Sequence, residues 1–134
     1  MSIPPSARRF RGFTLVELMI VVVVVGVLAV IAIPKFSQVS RASREAEALP
    51  ILKQIYTLEQ RYKQRKDTYT FDINELEGGN TLATAGRYYD FSIANHASGY
   101  CASAAPSTPE GVNAGVSPQS MDANGTFYLT DDCS

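Results

Sequence analysis

Two cysteines, one histidine and thirteen carboxylates are the residues of this chain with chemistry to offer. Cys101 and Cys133 close a loop of roughly 30 residues, and paired as a disulfide in an exported domain they would add roughly 3–4 kcal/mol. Two cysteines and a single histidine are too few for a zinc cluster of the usual spacing. A catalytic thiol is not expected either, because His96 lies in a turn-like stretch with no helper residue nearby. Asp122-Ala123-Asn124-Gly125, with Asp131 and Asp132, offers oxygen ligands of the kind calcium takes. It lacks the full spacing of a helix-loop-helix site and reads more simply as a hairpin turn. No nucleophile–base pair, phosphate loop or metal set stands out, so the expected function is not enzymatic, with no catalytic residue, metal or cofactor. The carboxylate that needs explaining is Glu17. It is the one charge between Phe13 and Ile33, and a carboxylate within a bilayer helix costs roughly 2.5–3.5 kcal/mol on insertion scales.

The elements around Glu17 suggest its setting. Residues 2–12 carry Arg8, Arg9 and Arg11 and no acid. The apolar run from Phe13 to Ile33, coiled as a helix, spans roughly 30 Å, the thickness of a bilayer core. The arginines would hold the N-terminus in the cytoplasm, although Lys35, Arg41 and Arg44 beyond the run bring the loop count close to a tie. A cleaved secretory signal, with Val30-Ile31-Ala32 as its cut site, is a competing reading; so is a plain signal anchor, which leaves Glu17 without a purpose. Helical spacing continues through Val39, Ala42, Ala46, Leu49, Leu52, Ile55, Leu58 and Tyr62, with Ser37, Gln38, Arg41, Arg44, Lys53, Gln60 and Arg61 toward water. One helix is therefore predicted over residues 13–66, interrupted and bent at Pro50. Gly26 and Pro34 are poor helix formers within its apolar half. Arg61, Lys63, Arg65 and Lys66 cluster at its end, as compensation for the macrodipole or as a patch for DNA or for an acidic surface on a neighbouring subunit. The whole chain of 134 residues carries a net charge of −1, and without the three leader arginines nine basic residues face thirteen acidic ones. That balance argues against strong general DNA affinity.

Beyond Asp67 the pattern changes. Residues 68–84 read as a connecting loop with a short turn at Ile73 to Leu76. Tyr88 to Ala94 alternates as a half-buried strand with Tyr89, Phe91 and Ile93 inward, and Gly99 to Ala105 is a second strand. Pro106 to Pro118 reads as loop. Asn124-Gly125 marks a tight hairpin between Ser120–Ala123 and Thr126–Thr130, with Phe127 and Leu129 facing the core. The sheet is poor in large apolar residues, and a soluble part of about 70 residues is marginal on such a core. The disulfide would supply part of what is missing.

Arg11-Gly12-Phe13-Thr14-Leu15-Val16-Glu17 resembles the processing site of the type IV prepilins, and the likeness extends through Leu18-Met19-Ile20, Gly26 and Pro34 to about Glu47. The resemblance implies that a prepilin peptidase in the inner membrane cuts between Gly12 and Phe13 and methylates the new amino-terminal Phe13. Glu17 becomes the fifth residue of the mature chain. The resemblance also implies that the stretch between Gly26 and Pro34 can lose helicity; a kink at Pro34 is the plainer reading. The implied fold is α+β, the type IV pilin fold: one long N-terminal helix packed on a small antiparallel sheet of about four strands, with a disulfide-bounded C-terminal loop. The expected organisation is a leader over residues 1–12, a helix over 13–66 that crosses the membrane with 13–33 before assembly, and a globular head over 67–134. The expected function is a structural subunit of a type IV pilus serving adhesion, twitching motility or DNA uptake. A pseudopilin of type II secretion, a minor pilin and, more remotely, a membrane-anchored monomeric binding domain are the alternatives. Implied partners are other copies of the chain, the prepilin peptidase, the pilus assembly machinery and the membrane, with DNA only weakly supported. The precursor would sit in the inner membrane with its N-terminus cytoplasmic, and the assembled filament would lie on the cell surface.

Overall fold

The computed structural model describes residues 12–134; Arg8, Arg9 and Arg11 of the expected leader lie outside the described residues. Four helices and four strands follow in the order α1 (Leu15–Glu45), α2 (Ala48–Lys66), a 3-10 turn (Ile73–Glu75), α3 (Gly79–Ala83), β1 (Asp90–His96), β2 (Gly99–Ala105), α4 (Pro109–Ala114), β3 (Gln119–Asp122) and β4 (Phe127–Tyr128). The chain divides into two compact units at Ser37–Gln38. This is the α+β, pilin-like arrangement: a long N-terminal helix, a four-stranded antiparallel sheet and a disulfide bounding the C-terminus.

The first unit is helical from Leu15 onward, and α1 runs unbroken past Gly26 and Pro34. Every large apolar side chain from Phe13 to Ile33 is more than half exposed. A helix apolar on all sides needs lipid or other helices around it, since nothing within the unit covers it.

The second unit starts with the last turns of α1. The long helix breaks at Ala46–Glu47, where the Glu47 N–H reaches back only to the Arg44 carbonyl. Pro50 is the cause, acting four residues upstream of where the sequence placed the break: its ring conflicts with the carbonyl of residue i−4, which is Ala46. Pro50 itself sits in the first turn of α2, where its missing N–H would have no partner anyway.

The buried stripe of α2 is Ala48, Leu52, Ile55 and Leu58. It packs on β2 and β3. Val39, Ala42 and Ala46, expected on the same face, are exposed, because the sheet's footprint falls on α2. The strands form a meander in the order β1-β2-β3-β4, all neighbours antiparallel. Tyr89 precedes β1, and with Phe91 and Ile93 it faces the core as expected, joined by Tyr100, Ala102 and Ala104 and by Met121. The β1–β2 hairpin requires glycine at Gly99, where φ is +124° and a Cβ would lie 2.8 Å from the Tyr69 ring.

Several expectations are corrected. Phe127 is 37% exposed and Leu129 70% exposed rather than core. β4 has two residues at the sheet edge, and the chain then leaves the ladder to bring Cys133 to Cys101. The stretch over 106–118 contains α4, started by the Thr108 hydroxyl accepting from the Gly111 N–H and stopped by Gly115 in the left-handed region. The stretch over 68–84 contains α3 as well as the 3-10 turn. Gln60 is half-buried and donates to the Ala123 carbonyl.

Candidate processing and assembly site

The site is built at the start of α1. Residues 12–14 are non-helical and exposed, so the Gly12–Phe13 peptide lies in accessible chain outside the helix. Phe13 is 80% exposed, and a side chain at Gly12 would meet no atom within 4 Å. The Thr14 carbonyl accepts the first helical bond from the Leu18 N–H, and the Thr14 hydroxyl accepts from the Glu17 N–H at 3.2 Å. Thr14 therefore caps the helix and fixes where it begins. Glu17 falls in the first turn, where a negative charge suits the positive end of the helix dipole. Gly12, Phe13, Thr14 and Glu17 line one shallow depression. Cleavage before Phe13 would free an amine there, four residues, or about one helical turn, from the existing Glu17 carboxylate.

Residues 7–33 match the prokaryotic N-terminal methylation motif. The motif is the class III signal peptide of type IV pilins. Together with the apolar helix, it fits a membrane-anchored precursor that is later exported, and it supports a protein of pilin or pseudopilin type. It implies processing by a peptidase and assembly with other pilin subunits, and points to a structural protein. No curated protein and no solved structure matches the chain.

Of the remaining residues singled out from sequence, Gly26 lies within the matched span and the cysteines, Asp122 and the basic cluster lie apart from it. Gly26 is in the middle of α1, where an added Cβ would touch nothing. Cys101 and Cys133 form a disulfide with Cα atoms 5.9 Å apart. The Cys133 N–H donates to the Ser120 hydroxyl at 3.0 Å, so the bridge and this bond hold the C-terminus on β2 and β3. Asp122 is spent on its own turn. Its carboxylate accepts from the N–H groups of Asn124 and Thr126, at 3.0 and 2.8 Å, and from the Asn124 side-chain amide at 3.2 Å. Burial alone would raise this carboxyl, but these donors hold it below the usual aspartate range. Among the described residues no group of three or more histidines, cysteines or carboxylates is gathered for a metal. In the basic cluster Arg65 pairs with Glu77 at 2.7 Å and Lys63 lies over the Tyr69 ring at 4.4 Å.

Two polar groupings were not anticipated. The end of α1 is latched to the segment before β3: Arg41 Nη2 donates to the Ser117 hydroxyl at 2.8 Å, Glu45 Oε1 accepts from the Ser117 N–H at 2.9 Å, and Gln119 Nε2 donates to the Glu45 carbonyl at 2.9 Å. The second grouping is in the core. Glu59 has no exposed surface; its Oε2 accepts from the Thr70 N–H at 3.2 Å, while its Oε1 has no partner, and neither does the buried Tyr100 hydroxyl. Burial pushes the Glu59 carboxyl up to about 7, the Thr70 bond partly opposes this, and the Glu75 charge adds to it. A signal was available, since Glu59 follows Ile55 by four residues on the buried stripe.

Proposed function

We propose that the chain is a prepilin, cut between Gly12 and Phe13 and methylated at Phe13, whose mature form polymerises through α1 into a type IV pilus filament. The observation that carries this reading is the methylation motif leading directly into a helix whose large apolar side chains are all exposed over Phe13 to Ile33. The membrane covers that surface in the precursor, with the N-terminus cytoplasmic, and other copies of α1 cover it in the filament. Cleavage creates a positive amine at Phe13, and in a dry filament core an unpaired charge is costly. The Phe13 amine of one subunit meets the Glu17 carboxylate of its neighbour, so that a subunit out of register leaves two charges buried and unpaired. Gly26 fits the same account: no contact within the chain requires its small size, and close approach of a neighbouring helix does. The Gly26–Pro34 stretch gives the filament compliance, residues 67–134 form its outer surface, and adhesion or motility is the role of the assembled fibre. The chain performs no catalysis in this account.

The test is Glu17→Ala. The variant is expected to be cut at Gly12–Phe13 and to remain in the membrane without entering filaments. Normal incorporation would overturn the register role of Glu17. Wild-type subunit that is processed but never reaches a sheared surface fraction would favour a pseudopilus instead.

A further inference from the structure

The second unit carries a basic–aromatic patch, with Arg87 exposed and Arg44 and Tyr88 half-buried, to which the assembly mechanism assigns nothing. The Arg44 guanidinium lies 5.7 Å from the centre of the Tyr88 ring, and the Arg87 guanidinium lies 5.7 Å from the same ring. Neither guanidinium has a carboxylate partner among the described residues. Glu47 accepts from the Arg87 backbone N–H rather than from its side chain. The backbone of Arg87 and Tyr88 is also held in place. The Thr108 hydroxyl donates to the Arg87 carbonyl at 3.0 Å, and α4 presses on the next carbonyl so closely that a Cβ at Gly111 would lie 1.9 Å from the Tyr88 oxygen. Arginine and tyrosine, held in place before binding, are the composition and condition of an interface hot spot.

The same unit presents a surface of opposite character. Leu129 is 70% exposed although it follows the sheet directly, and Asp131 is exposed and has no ion-pair partner among the described residues. Their segment is anchored at both ends, by β4 and by the Cys101–Cys133 bridge. Fold stability explains neither the exposed leucine nor the unpaired acid.

We infer that the Arg44–Tyr88–Arg87 patch docks the Leu129–Asp131 segment of a second copy of this chain, the leucine against the tyrosine ring and the aspartate between the guanidiniums. The inference rests on the assembly reading above, since a head-to-tail contact of two different patches repeats along a filament rather than closing into a dimer. Charge complementarity selects the occupant. Without its leader the chain has an excess of acids, so a like copy offers the arginines a partner, while a nucleic acid would meet net repulsion.

The experiment is a charge swap in the full chain, read as filament yield in sheared material across salt concentrations. Arg87→Glu and Asp131→Arg are both exposed changes, and recovery of the intact disulfide species by mass verifies folding. Each single variant is expected to lower yield by about tenfold at low salt, as loss of a close interfacial charge pair does. The double variant is expected to recover most of it. Wild-type yield should itself fall with salt. Unchanged yield in both single variants, or a double variant no better than either, would overturn the contact while leaving assembly through α1 intact. Wild-type chain that forms no filament would overturn the assembly reading and this contact together. Binding of a single-stranded oligonucleotide that Arg87→Glu abolishes, with filament yield unaffected, would reassign the patch to nucleic acid and overturn the inference.

Discussion

Replacing Glu59 with glutamine should stabilise the head at neutral pH and leave it unchanged in acid. Glu59 is fully buried, and its carboxyl titrates at about 7 against 4.5 for the free group. Between those values the folded chain holds a proton there that the unfolded chain has released. Stability therefore falls as pH rises through this window, at about 1.4 kcal/mol per pH unit, reaching a loss of about 3 kcal/mol above pH 7. Below pH 4.5 both states are protonated and the penalty vanishes. Glutamine keeps the shape, and its carbonyl still accepts from the Thr70 N–H, but it never ionises. Glu59→Gln should then be more stable than wild type by up to about 3 kcal/mol at pH 8, and within about 1 kcal/mol of it at pH 4. The assay is urea unfolding of the full chain in detergent at half-unit pH steps, followed by tyrosine near-ultraviolet circular dichroism. A wild-type profile flat from pH 4.5 to 7, or a variant less stable at every pH, would refute the reasoning. The Asp122 and Glu45 carboxyls, both held below their usual ranges by hydrogen bonds, act oppositely. Their contribution is present above the unfolded values near 4 and is lost as pH falls further, so wild-type stability should peak near pH 4.5.

Reduction of the Cys101–Cys133 bridge should cost roughly 3–4 kcal/mol, read as a lower urea midpoint with dithiothreitol present. Gly111→Ala should destabilise by about 1–3 kcal/mol, because the new methyl meets the Tyr88 carbonyl at 1.9 Å and backbone must yield; thermal unfolding checks it. Asp122→Ala should lower stability by about 1–3 kcal/mol by stripping acceptors from the turn at Asn124 and Thr126, with faster amide exchange confined to residues 122–128.

What could be read from the residues follows from how far each signal reaches. The apolar run from Phe13 to Ile33 and its leader are local patterns, legible without a fold. Strand β2 was placed at its observed bounds, and the Asn124–Gly125 turn where Asp122 organises it. Periodicity reports a face but not what covers it. Val39 and Ala42 share the stripe of Leu52 and Ile55, yet burial begins only at Ala48, where the sheet starts. Helix α4 has six residues and no apolar stripe, so only its cap could announce it: Thr108 before Pro109 and Glu110, with Gly115 at the end. Leu129 alternates correctly with Phe127, but the disulfide takes the chain off the ladder first. Glu59 was hidden by the habit of assigning carboxylates to solvent, although its position on the stripe was in plain view.

The central claim is that Phe13 begins a mature subunit which leaves the membrane for a filament. The most direct measurement is the intact mass of the chain recovered from sheared surface material, with and without reductant. The account predicts the mass of residues 13–134 plus one methyl group, less two hydrogens that return on reduction. A chain recovered uncut, or cut near Ala32, would contradict it.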